Sequence, residues 1–186
     1  NGIQFYERSR RCEDFAFSVE CALYAKTYVV LNAGELYHYR PNENSKSRSY
    51  TKNMWKSIRC LMCYMVEMTE RYTEYDFTQA MQLCVFYFCT SVIRNEMRLS
   101  EKSQRIENIR QIVTDPLCVG AVNAVSCRDM NPEYTAMYGY MKQQNAAALN
   151  RYLKQLEWKK KHITPVLNNL FKNEKVRKLY RKIRGR

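Results

Sequence analysis

Apolar residues recur at helical spacing over most of this 186-residue chain. Phe15, Val19, Ala22 and Leu23 mark one face of a helix over residues 14–26, entered through Glu13 and Asp14. Thr27 to Leu31 is a β-rich run, and Asn32-Ala33-Gly34 reads as a turn. In Leu36 to Arg40, strand alternation sets Leu36, His38 and Arg40 on one face and Tyr37 and Tyr39 on the other. A polar loop, Pro41 to Ser45, follows. Beyond Tyr50 the pattern is helical: Ile58, Met62, Met65, Thr69 and Tyr72 share a face over residues 53–72. Phe77 to Met97 is apolar nearly all round at its centre, which predicts a buried central helix. Ser100 is the expected N-cap of a helix with Ile106, Ile109 and Val113 on its inner face.

Three prolines directly follow a capping-type residue: Asp115-Pro116, Asn131-Pro132 and Thr164-Pro165. Proline at the first helical position sacrifices no hydrogen bond, so each pair predicts a helix start. A last stripe, Val176, Leu179, Tyr180 and Ile183, lies among lysines and arginines. The fold class expected is therefore mainly α with a small β element. One strand pair is too little for a stable sheet, so the β part is expected to be the truncated end of a larger α/β fold whose N-terminal portion lies elsewhere. The organisation expected is a mixed segment over 1–50, a helical appendage over 51–150 and a basic amphipathic tail over 151–186.

Composition refines this picture. Hydrophobic content of 46% supports a real core, and only five glycines and four prolines argue against an all-β fold. The longest apolar stretch, Leu83 to Cys89, is far short of the ~20 residues a membrane-spanning helix needs. The polar, charged start carries no signal-peptide pattern. The net charge of +13 is concentrated at one end: residues 151–186 hold 13 Lys/Arg against Glu157 and Glu174. A nearly neutral body with a basic tail implies a local anionic partner. Eight cysteines fall mostly within helical patterns and are expected to be reduced, cytosolic thiols packed in the core, the Cys60-x-x-Cys63 pair included.

The ordered segments Glu13-Asp14-Phe15-Ala16-Phe17, Tyr24-Ala25-Lys26, Tyr28 to Asn32, Leu36 to Arg40 and Ser45 to Ser49 resemble the C-terminal half of the catalytic domain of family 2 glycosyltransferases. These are inverting, nucleotide-sugar-dependent enzymes of the GT-A class. The resemblance covers roughly the first fifty residues. It implies that Asp14 is the catalytic base, that Glu13 shapes the acceptor site, and that Arg40, Ser45 and Ser47 close over the donor diphosphate. It also implies a divalent metal, Mg or Mn, held mostly by the N-terminal half, with His38 a weaker candidate ligand. Chemically, a carboxylate at a helix start can take a proton from an acceptor hydroxyl. Arginine's planar fork and serine hydroxyls suit phosphate oxygens.

Two family features are missing from this sequence. It contains no Asp-x-Asp metal motif, and it lacks the Gln-x-x-Arg-Trp motif of processive members. The implied protein is the C-terminal portion of an enzyme that transfers a sugar to a hydroxyl of a glycan or lipid-linked acceptor, inactive as this portion alone. It would be cytoplasmic, peripheral at the inner face of the plasma membrane, with residues 173–186 on anionic lipid and no nucleic-acid partner. The alternative is a non-enzymatic helical binding module whose basic tail engages anionic lipid, RNA or an acidic protein. Acidic residues at a helix start also arise from the helix dipole alone, without catalysis.

Overall fold

A computed structural model describes residues 3–6, 12–30, 49–72, 74–166, 172 and 174. Among them are seven helices: α1 (Glu13–Tyr24), α2 (Met54–Glu70), α3 (Thr78–Glu96), α4 (Lys102–Val113), α5 (Pro116–Ala124), α6 (Pro132–Lys142) and α7 (Ala146–His162). The chain divides into two compact units, residues 1–146 and 147–186. The protein is mainly α, and the described residues include no strand. None of the described helices is long and apolar enough to cross a membrane.

The expected central helix is α3, which packs against α2, α4 and α5. Its buried residues lie on two adjacent stripes, Val85, Cys89 and Val92 on one and Phe86 and Ile93 on the other, each no more than 1% exposed. Two stripes let one helix serve neighbours on several sides. The burial is not all round, because Leu83 and Tyr87 stay partly exposed. Ile58, Leu61, Met62 and Met65 fill the facing side of α2, and Ile109, Ile112 and Val113 that of α4. Eight of the nine methionines are buried: Met54, Met62, Met65, Met68, Met81, Met97, Met137 and Met141. Unbranched thioethers adapt to irregular gaps, which suits helices of unequal length meeting at several angles.

The starts of α4, α5 and α6 follow capping chemistry, with one correction. Asn131 caps α6 through the backbone N–H groups of Glu133 and Tyr134. Asp115 caps α5 through the Leu117 N–H. For α4 the cap is Glu101, not Ser100; its carboxylate accepts from the Gln104 N–H at 2.8 Å. That backbone bond, aided by the Ser103 hydroxyl, holds the Glu101 carboxyl below the usual carboxylate range. The inner face of α4 also differs, since it includes Arg105, which is 5% exposed and donates to the Leu99 and Ser100 carbonyls. After α7, a turn at Ile163 precedes helical residues 164–166, where Thr164-Pro165 sits.

Asp115 also accepts from Arg59 of α2 at 2.9 Å. Asp115→Ala removes both interactions and is expected to lower stability by about 1–2 kcal/mol. Asp115→Asn, which keeps the cap, is expected to recover most of that loss, because an exposed ion pair adds little. Urea denaturation of the two variants separates the contributions.

The β element fares differently. Residues 27–30 form no strand, and Tyr28, Val29 and Val30 are 71–87% exposed. The Tyr28 hydroxyl donates back to the Ala22 carbonyl, so this run is tethered to the end of α1. β-branched residues favour extended backbone, but a strand requires a partner, and no described segment supplies one. The expected strand Leu36 to Arg40 lies outside the described residues.

Candidate functional site

The start of α1 carries the two acids. Cys12 precedes the helix with φ 58°, in the left-handed region, and gives no side-chain cap. The first-turn N–H groups receive no acceptor from the N-cap side chain, and acidic residues there complement the helix dipole. Asp14 Oδ1 accepts from the Phe15 N–H at 2.8 Å, and the Ser18 hydroxyl donates to the Asp14 carbonyl. Asp14 is exposed and Glu13 half-buried. Neither acid forms an ion pair among the described residues. The Asp14 carboxylate thus remains available to solvent or to an incoming hydroxyl.

Aromatic contacts fix the helix that presents it. Ala16 is buried on the inner side, where α1 packs against α2. Phe15 meets Phe88 of α3 at 5.5 Å, Phe17 stacks on Phe5 at 4.4 Å, and Tyr24 meets Tyr72 edge-on at 5.6 Å. Tyr64 of α2 stacks on Tyr6 at 4.4 Å and donates to Glu20 at 3.0 Å. Burial, then the bond to Glu20, raises the Tyr64 phenol above its ordinary value. Offset and edge-on aromatic pairs each stabilise by about 0.5–1.5 kcal/mol beyond area burial. Several such pairs along one short helix hold Asp14 in a fixed setting.

A second polar feature has little signature in the sequence. Glu96, 3% exposed, accepts from Asn108 Nδ2 at 2.7 Å, Asn95 Nδ2 at 3.0 Å and the Tyr50 hydroxyl at 3.3 Å. Asn95 bonds both the N–H and the carbonyl of Thr51, each at 2.9 Å, and Arg98 donates to the Ser49 carbonyl. Burial, then the charge of Glu96, raises the Tyr50 phenol. The cluster clamps residues 49–51 onto the end of α3, where the chain enters the helical section. Its only sequence signal was Asn95-Glu96 closing an apolar run.

The remaining expected site residues, Arg40, Ser45, Ser47 and His38, lie outside the described residues. Among the described residues no group of three or more His, Cys, Asp or Glu is placed to hold a metal. They do not by themselves form the divalent-metal site of a GT-A enzyme. The thiols need a correction: Cys89 and Cys118 are buried, but Cys60 is exposed and Cys63 only half-buried. Cys60 follows the buried Ile58 by two positions and so falls on the outer side of α2. Comparison with known proteins finds no matching family model, no similar curated protein and no similar solved structure.

Proposed function

We propose that this chain is the C-terminal portion of a family 2, GT-A-type inverting glycosyltransferase, followed by a helical appendage. In the complete enzyme Asp14 is the base. Its carboxylate takes the proton of an acceptor hydroxyl while that oxygen bonds to the anomeric carbon and the nucleoside diphosphate departs with the electrons of the broken bond. Glu13 shapes the acceptor site, and Arg40, Ser45 and Ser47 meet the diphosphate. The supporting observation is the Asp14 carboxylate, exposed at the start of a helix held by aromatic contacts, in a sequence that resembles the family over its first fifty residues. A divalent metal, Mg or Mn, would neutralise the leaving diphosphate when bound; its ligands belong mostly to the N-terminal half. Asp14→Asn in the full-length enzyme is the direct test. Upstream coding sequence gives a second one, expected to carry βαβ units and an Asp-x-Asp motif.

The basic C-terminal region supports a location at an anionic membrane surface on the cytoplasmic side. Trp158 on α7 is 57% exposed, sits 5.4 Å from His162 and precedes Lys159, Lys160 and Lys161. An exposed indole amid lysines suits the headgroup boundary of a bilayer. Residues 173–186 add seven further Lys/Arg against one acid. Each basic group near an anionic surface contributes about 1 kcal/mol. Deleting 173–186 is therefore expected to weaken binding to phosphatidylserine-containing vesicles by at least about tenfold. Unchanged binding in a sedimentation assay removes the membrane role. Preferential binding to RNA or to an acidic protein favours the non-enzymatic module instead.

A further inference from the structure

We infer that the cavity between the end of α2 and the start of α3 binds one neutral or amino-substituted pyranose ring of a glycan chain. The cavity measures about 250 Å³ and is lined in part by Glu70, Tyr72, Tyr75, Asp76, Phe77 and Gln82. That is below the ~300–1,000 Å³ of sites enclosing a drug-sized ligand, so it suits a single ring better than a nucleotide. Tyr75 is 68% exposed, and its ring lies 6.0 Å from that of Phe77 at an angle of 51°. A pyranose has an apolar C–H face and a polar rim. Aromatic rings suit the face, while carboxylates and an amide suit the rim hydroxyls.

Asp76 is configured as an acceptor. The backbone N–H of Thr78 donates to Asp76 Oδ1 at 2.9 Å, and together with the Thr78 hydroxyl it holds the Asp76 carboxyl below its ordinary range. No described lining residue carries a positive charge, although the protein as a whole is strongly basic. The two carboxylates outweigh the nearby cation Arg71, whose charge reaches Tyr72, so hydroxyl- or amine-bearing rings are favoured over phosphorylated and acidic ones.

The wall formed by Tyr72 is braced by the edge of Tyr24, at the C-terminal end of α1. Burial and the neighbouring Tyr24 phenol push Tyr72 up to about 12, so it stays neutral. The twelve residues of α1 span ~18 Å, which separates this wall from the acid at the other end of the same helix. Resting on the glycosyltransferase reading, the cavity then holds an acceptor glycan several units behind its reacting end.

The test is a titration of the ¹⁵N-labelled chain, followed by NMR, with triacetylchitotriose, maltotriose and triglucosamine. At least one is expected to give saturable shifts at residues 70–82. Tyr75→Ala should weaken that binding by about tenfold, the loss of one good aromatic contact. Gln82→Ala should weaken it as well, with both variants keeping the parent's circular dichroism. Trigalacturonate should leave these resonances unmoved. The inference is overturned if no trisaccharide gives saturable shifts there or if Tyr75→Ala binds as tightly as the parent. Binding of tetramethylammonium without any sugar overturns it in favour of an organic-cation cage. Asp14→Asn should bind sugar normally. Pocket binding alongside transfer that survives Asp14→Asn sinks only the catalytic reading; loss of transfer without pocket binding sinks only the pocket.

Discussion

Truncating Phe86 to alanine is expected to destabilise the protein by about 3–5 kcal/mol, the range for removing a large aromatic from a packed interior. Phe86 is fully buried at the middle of α3, with Tyr87 at 5.5 Å and Tyr138 of α6 at 6.2 Å. The helices around α3 cannot all collapse onto one void, because α2 is also held by α1, α4 by α5, and α5 by α6. Against a typical total of about 5–15 kcal/mol, the loss would leave a marginal fold. Urea denaturation should show a midpoint shifted far down at an unchanged slope. A loss below about 1 kcal/mol would mean that α3 is not the hub. Phe86→Leu should restore part of the stability, since it keeps most of the apolar volume.

On the proposed glycosyltransferase reading, Asp14→Asn in the complete protein is expected to lower kcat by about 10²–10⁴-fold, the usual contribution of a positioned general base. Asparagine keeps the shape and an oxygen able to accept from the Phe15 N–H, but it has no charge to take up a proton. Because Asp14 is exposed, the melting temperature should hardly change, which separates a catalytic effect from a folding one. Glu13→Gln should reduce activity less, with its effect mainly on acceptor KM. Transfer at the wild-type rate in Asp14→Asn would eliminate this residue as the base.

Helical content was readable from the sequence because each helix repeats its signal over several turns. Ile58, Met62 and Met65 announced α2, and the Asp115-Pro116 and Asn131-Pro132 pairs placed the starts of α5 and α6. The structure departs from the sequence pattern where a single residue decides. Ser100 and Glu101 are both polar neighbours at a helix entrance, and only the reach of the longer carboxylate to the Gln104 N–H selects Glu101. Thr27 to Val30 has the composition of a strand, yet strand pairing depends on a distant partner that local composition does not encode. Of the candidate site, the acids at the start of α1 were visible as a pair, and the aromatic frame that fixes them was not. Phe5, Tyr64 with Tyr72, and Phe88 come from three segments, and nothing in their spacing links them to α1. The buried Glu96 was hidden for the same reason, its donors Tyr50 and Asn108 lying 46 and 12 residues away.

The sulfur-rich interior has a chemical consequence. While the helices stay closed, the eight sheltered thioethers are out of reach of peroxide. Each transient opening offers them to oxidant, and a sulfoxide is polar and chiral, so it does not fit back where the parent side chain was. Damage would therefore accumulate in one direction, and without a reductase each oxidation caught during an opening would leave a permanent chemical trace.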